Sequence, residues 1–281
     1  MSFIIFIFGS AFGSFLNVVS TRYDQNSFMF GKQLLGRSHC DSCGKKLGPL
    51  ELIPVFSFIF QFGRCRNCGV RLGAQYPIVE ILSGLIFVFV PLALRSPYIA
   101  PAIFYGLAFL WILVFEVLLL IALVDLRLGI IPDEANILLL VLGIAMVFLN
   151  NKIWDPNQSF VGPYALIFGL RNNVWTNHIF AALLGFFLLG LLILVTRGRG
   201  MGIGDLKLIF PMGLIFGWPD TVFVLGAAFI IGSFVSIFIM MFGKHTIKSA
   251  IPFGPFLSLG ATTIFFFGGE ILKFYFGLFR G

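Results

Sequence analysis

The chain has 281 residues, 59% of them apolar and only 11% charged, where soluble proteins carry roughly 25% charge. That balance excludes a water-soluble globular enzyme, a disordered chain and a nucleic-acid binder. The net charge of +7 reads as basic loops beside membrane spans rather than as a nucleic-acid footprint.

Apolar runs over 2–20, 77–94, 98–124, 130–149, 178–196, 205–219, 221–243 and 252–278 predict an all-α polytopic membrane protein with about eight transmembrane helices. They are helices because backbone inside a bilayer must satisfy its own hydrogen bonds. The first run lacks a basic start, so it reads as an uncleaved span rather than a signal peptide. The division expected is a first helix at 1–20, a loop at 21–76 and a membrane bundle at 77–281. The run at 205–219 is short, and reads as a tilted helix or a re-entrant piece.

The loop 21–76 repeats a small unit. Cys40-Asp-Ser-Cys43-Gly-Lys-Lys-Leu47 matches Cys65-Arg-Asn-Cys68-Gly-Val-Arg-Leu72, and both read CxxCGxxL. Each CxxC lets two thiolates reach one metal, and the glycine permits the tight turn. Four sulfurs complete a tetrahedral Zn²⁺ site with no open position, so the metal is expected to be structural. The 21 residues between Cys43 and Cys65 are one more than the usual zinc-ribbon spacing. Disulfides are the competing reading, and a reducing cytoplasm disfavours them.

Only 12 residues are acidic, and those at membrane depth invite functional hypotheses. Glu80 opens the second run, where it can line a cleft or pair with a loop arginine. Glu116 lies mid-span and is expected to be protonated or paired. Asp125 ends the third run, and Asp133 follows Pro132 at the start of the fourth, where helix capping is its better reading. The polar stretch 150–177 is an outer connection. Asp205 opens the sixth run within Gly202-Ile-Gly204-Asp205-Leu-Lys207. Lys207 can snorkel to the interface.

With 21–76 on the cytoplasmic side, that side collects Arg22, Lys32, Arg37, Lys45, Lys46, Arg64, Arg66, Arg71, Arg127, Arg197, Arg199, Lys207, Lys244 and Lys248. The other side keeps Arg95, Lys152, Arg171, Lys273 and Arg280. A split of 14 to 5 is a positive-inside signal, and it puts Asp125 and Asp205 at the cytoplasmic face. Two aspartates in contact do not both ionise, so one keeps a proton and the other serves as base. The base activates water while the acid polarises a scissile carbonyl, which is aspartyl protease chemistry. Gly202 and Gly204 leave room for a substrate backbone. The competing reading of Asp205 is a helix cap. The run 198–204 is not GxGxxG, no HExxH occurs, and the histidines at 39, 178 and 245 are scattered.

Six segments together resemble the type IV prepilin peptidase family. They are Gly13-Ser-Phe-Leu-Asn17-Val, the paired CxxC loop, Tyr76-Pro-Ile-Val-Glu80, Asp125 to Asp133, Gly202 to Lys207, and Pro252-Phe-Gly-Pro-Phe-Leu257. The resemblance implies a bifunctional enzyme of the bacterial inner membrane. Such an enzyme cleaves the basic leader of type IV prepilins or pseudopilins at the cytoplasmic face. Most bacterial members then methylate the new N-terminal amine with S-adenosylmethionine. By resemblance Asp125 and Asp205 are catalytic, and the loop with Cys40, Cys43, Cys65 and Cys68 is the Zn²⁺-binding region; Asn17, Glu80, Asp133, Gly202, Gly204 and Lys207 are candidates for supporting positions, and Asp133 is also a rival for Asp125. Two readings compete. A presenilin-like aspartyl protease shares GxGD but not the CxxC pairs, and a carboxylate-dependent transporter calls for inverted repeats that are not seen.

Overall fold

The computed structural model describes residues 2–25, 28, 29, 31, 34, 36–40, 42–94, 100–152, 159–169, 173–198, 201–242 and 251–278. Lys32, Arg95, Arg171, Arg199, Lys244, Lys248 and Arg280 of the charge count lie outside them. So do Asp41, His245, and part of the polar stretch 150–177.

Among the described residues the regular structure is helical: α1 (Ser2–Arg22), α2 (Phe56–Phe60), α3 (Gln75–Ala93), α4 (Pro101–Leu128), α5 (Asp133–Asn150), α6 (Val174–Thr196), α7 (Ile203–Phe216), α8 (Asp220–Phe242) and α9 (Gly254–Gly277). No strand occurs among them, only two isolated bridges in the cysteine loop. Seven helices are long and apolar enough to cross a membrane: α1, α3, α4, α5, α6, α8 and α9. The eighth predicted span is α7, whose 14 residues reach about 21 Å, short of a hydrocarbon core of roughly 30 Å. The chain divides into two compact units, Met1–Ser96 and Pro97–Gly281.

In the first unit α1 packs on α3 through small residues. A Cβ at Gly9 would lie 2.9 Å from the Gly84 Cα, and one at Gly13 would lie 2.7 Å from the Ser83 Cβ. Gly9 and Gly13 stand four apart, the spacing that lets membrane helices approach backbone to backbone. The Ser83 hydroxyl donates to the Gly9 carbonyl at 2.7 Å across that seam.

In the second unit the helix ends follow their sequence signals. Pro101 starts α4, and Gly129 closes it by donating to the Asp125 carbonyl at 2.8 Å. The Asn173 side chain caps α6 by accepting from the Trp175 amide at 2.8 Å. Helices α5 and α7 run side by side in the same direction. Asp133 meets Lys207 near their starts, and further along a Cβ at Gly143 would touch Leu214 and Ile215. Helices α4 and α9 run in opposite directions: Gly254 meets Asp125, and the Ser258 hydroxyl donates to the Leu118 carbonyl at 3.1 Å. Aromatic rings fill the space beyond. Trp111 packs on Phe265 at 4.7 Å and on Phe160 at 5.1 Å between ring centroids. Phe160 comes from the connection after α5, which buried Asp220 holds by accepting from the Ser159 hydroxyl and the Phe160 amide.

Candidate active site and metal centre

Asp125 lies in the last turn of α4, and Asp205 in the first turn of α7; both are buried. They share one end of the second unit. Asp133 at the start of α5 joins Lys207 of α7 there, and Gly204 stands against Ile131 in the turn that follows α4. Each carboxylate accepts one backbone amide. Gly254 donates to Asp125 Oδ2 at 2.9 Å, and Gly202 donates to Asp205 Oδ2 at 3.1 Å. The second bond is the reach of an N3 side chain back to its N-cap, so the capping reading of Asp205 is observed. It occupies one oxygen. Among the described residues neither Oδ1 has a hydrogen bond, which leaves an oxygen on each carboxylate for water or a peptide.

The glycines differ in function. A Cβ at Gly254 would come 2.7 Å from Asp125 Oδ2, while one at Gly202 would stand 3.6 Å from Asp205 Oδ2. Gly254 therefore allows the amide to approach the carboxylate, whereas a Cβ at Gly202 would make only an ordinary contact. The opening of the Pro-Phe-Gly-Pro-Phe-Leu segment is thus one wall of the Asp125 site. Sequence reading matched that segment but gave it no role, because it lies 129 positions from Asp125. Asp133 is exposed and forms a two-oxygen ion pair with Lys207 at 2.8 and 3.1 Å; its side chain does not cap α5. Asn136, one turn along α5, is buried, and neither of its amide atoms has a hydrogen-bond partner among the described residues. Sequence reading passed over it, since an asparagine at helix-compatible spacing carries no signal of burial.

The first unit holds the other predicted residues. Asn17 is buried and donates to the Tyr76 carbonyl at 3.1 Å. Glu80 is buried and accepts the Val55 amide at 2.7 Å. Of the partners expected for Glu80, the structure supplies the loop, through backbone rather than through arginine.

The two CxxCGxxL units fold alike. Gly44 donates to the Cys40 carbonyl at 2.8 Å and Gly69 to the Cys65 carbonyl at 2.9 Å. Both glycines take positive φ, +67° and +72°, which favours a residue without a Cβ. Cys40 in turn donates to Lys45, and Cys65 to Val70. These matched turns bring the four sulfurs of Cys40, Cys43, Cys65 and Cys68 within 4.8 Å of one another. The Cys40 and Cys68 sulfurs are 3.9 Å apart, against about 3.8 Å for a tetrahedron with 2.3 Å Zn–S bonds. The residues fit a four-thiolate metal. The Lys45 amide and the Asn67 side chain pull the Cys43 thiol down to about 6, and the amides of Cys68 and Asn67 lower Cys65. Cys68 accepts from the Val70 amide, yet burial and the neighbouring sulfurs push it up to about 11. Crowded thiols of this kind are the donors a cation gathers as protons leave.

Residues 7–94 match the Bacterial Peptidase A24 N-terminal domain, and residues 112–237 match the Type IV leader peptidase family. A Burkholderia pseudomallei (strain K96243) protein named prepilin leader peptidase/N-methyltransferase is 32% identical over 83% of this chain and 67% of its own length. The chain belongs to the type IV leader peptidase family. Relatives with the same name from Aeromonas hydrophila and Bacillus subtilis (strain 168) are each 28% identical over 97% of this chain, covering 92% and 96% of their own lengths. No solved structure matches. The protein is therefore a membrane-embedded peptidase, with the Asp125–Asp205 end inside the leader peptidase match and the cysteine cluster inside the N-terminal one.

Proposed function

We propose that this enzyme removes the leader of type IV prepilin-like proteins by an aspartyl mechanism at the cytoplasmic face of a bacterial inner membrane. One observation carries the reading. Two buried aspartates from different helices lie at one end of the helical unit, each with an oxygen that has no hydrogen bond among the described residues. Their shared charge keeps one protonated and leaves the other as base. The base takes a proton from water as the water attacks the scissile carbonyl. The acid hydrogen-bonds the carbonyl oxygen and later returns a proton to the leaving amine. The amides of Gly254 and Gly202 hold the two carboxylates in place while this happens. Prepilin-like substrates suit the site, because a leader at the interface followed by an apolar helix presents the bond at a helix end. Lipid is the other partner, and nucleic acid is none. The 14 to 5 charge split supports the cytoplasmic face.

The functional division proposed is a first helix at 1–20, a metal loop at 21–76 and the peptidase bundle at 77–281. Zn²⁺ on Cys40, Cys43, Cys65 and Cys68 is structural. The names of the relatives support a second step, methylation of the new N-terminal amine. The buried Asn17 Oδ1, without a partner among the described residues, fits a polar ligand, and Asn17 and Glu80 would hold S-adenosylmethionine. When bound, that cofactor supplies the methyl group.

The test is co-expression with a prepilin-like substrate, with leader removal read by gel shift and the product by mass. Wild type shortens the substrate and leaves it one methyl group heavier than the bare product. Asp125→Asn and Asp205→Asn abolish cleavage at normal membrane abundance, while Asp133→Asn cleaves. Cleavage by either dyad variant overturns the mechanism.

A further inference from the structure

Among the described residues of the metal loop, the stretch between the two CxxC units carries the largest run of exposed apolar side chains. Residues 52–61 contain no charged side chain. Within 50–62, Leu50, Ile59, Phe60 and Phe62 are 68%, 60%, 71% and 90% exposed, and Leu52, Ile53 and Phe56 are exposed as well. Phe58 alone of the phenylalanines turns inward, toward Gly63. Water does not favour so many bared large apolar groups in so short a stretch, and a contiguous patch of this kind marks an interaction surface.

What covers the patch follows from where it is tied. The Val55 amide donates to Glu80 at 2.7 Å, and Glu80 is the sixth residue of α3, a membrane-crossing helix beginning at Gln75. At 1.5 Å per residue, that bond sits about 7.5 Å along the span from its start. Val55 makes this bond at φ +63°, a conformation rare for a β-branched residue. On the same stretch of α3, Ile78, Ile81 and Leu82 are exposed, as the lipid-facing side of a span is. The patch is therefore tied to a membrane-crossing helix within about two turns of its start. Lys45, Lys46, Arg64, Arg66 and Arg71 flank it on the two cysteine turns. Apolar and aromatic side chains rimmed by cations are the composition of a segment lying in a bilayer interface with anionic headgroups.

The geometry points to residues 50–62 as an interfacial anchor that dips the metal loop back into the lipid bilayer crossed by α1 and α3. The two CxxC units then act as a clasp that closes the base of this hairpin, while α2 and Phe62 lie among headgroups and upper acyl chains. The inference holds whatever reaction the other unit performs.

The full chain, carrying benzoylphenylalanine at Phe60, Phe62 or, as control, Lys45, is reconstituted in vesicles of phosphatidylethanolamine and phosphatidylglycerol. After irradiation, adducts are identified by mass, and metal content is checked in each variant. Lipid adducts at 60 and 62, at least tenfold above those at 45, are expected. Adducts to a second copy or to added prepilin-like substrate, without lipid adducts, overturn the inference and make the patch a protein-docking surface. Absence of any adduct at both positions, in protein retaining its metal, overturns it too. In a second measurement Phe60→Ser with Phe62→Ser is expected to speed proteolytic cutting within 50–62 in vesicles and to leave it unchanged in detergent, where the bilayer is gone. Equal cutting of wild type and variant in vesicles counts against the anchor.

Discussion

Asp125 depends on a neighbour that has no side chain. The Gly254 amide reaches Asp125 Oδ2 only because the space a Cβ would fill is taken by the carboxylate, 2.7 Å away. Gly254→Ala is expected to displace the carboxylate and lower kcat/KM for leader removal about 100-fold, the scale of a misplaced reacting group, with membrane abundance unchanged. Gly202→Ala, which meets Asp205 at 3.6 Å, is expected to cost far less in the same assay. The Asp133–Lys207 pair gives a contrasting expectation. Its side chains are 65% and 52% exposed, and exposed pairs contribute roughly 0–1 kcal/mol. Lys207→Met should therefore move the melting midpoint in detergent by no more than about 4 °C. The acids themselves were legible from their rarity and their place at span ends. Their backbone donors were not. A bond between residues 125 and 254 depends on α4 and α9 running in opposite directions, and hydropathy does not encode which helices are neighbours.

Among the elements, glycine decides how close the helices come. At Gly213 on α7 an added Cβ would lie 2.3 Å from the Cα of Ala182 on α6. The obstruction is backbone, so the helices must part. Gly213→Ala is expected to destabilise by about 1–3 kcal/mol or more through overpacking. Gly226→Ala on α8, where no described residue lies within 4 Å of the added Cβ, should be neutral or stabilising by up to about 1 kcal/mol through helix propensity. Thermal unfolding of both variants in detergent checks the contrast. Seven of the eight apolar runs gave spanning helices because a long apolar stretch has few other solutions at membrane depth. The run at 205–219 became the shorter α7, since Gly202 sets its start and Gly217, at φ +73°, ends it. The run alone showed neither limit. The seam between α1 and α3 was equally hidden. Gly9 and Gly13 are plain in the sequence, but their partners Ser83 and Gly84 are known only once the helices are placed.

The whole molecule joins a helical unit, whose stability comes from packed spans, to a loop with little core of its own. Cys40 and Cys65 are the buried sulfurs of that loop, and a structural metal supplies folding energy where apolar burial is small. Cys65→Ser, or treatment with a strong chelator, is expected to open 38–72 to proteolysis and to leave the helical content measured by circular dichroism essentially unchanged. The metal-loaded wild type should resist cutting there. The repeated CxxCGxxL announced this centre because metal ligation imposes both residue type and spacing. The attachment of the loop to α3 had no such signature, since one of its two groups is the backbone amide of Val55.

Helix α7 is fastened at the end opposite Asp205. Asn177 and Trp218 exchange hydrogen bonds at 2.8 and 3.0 Å, and the Trp218 indole donates to the Phe168 carbonyl. With that end fixed, the distance from Trp218 back to Asp205 works as a ruler, about 20 Å long at 1.5 Å per residue. For the proposed dyad, the depth at which a chain is cut is then measured from the fastened end of α7, by counting turns, rather than from the surface where the leader emerges. A substrate whose boundary between leader and apolar helix falls at another depth would present the wrong bond, however well its residues matched the site.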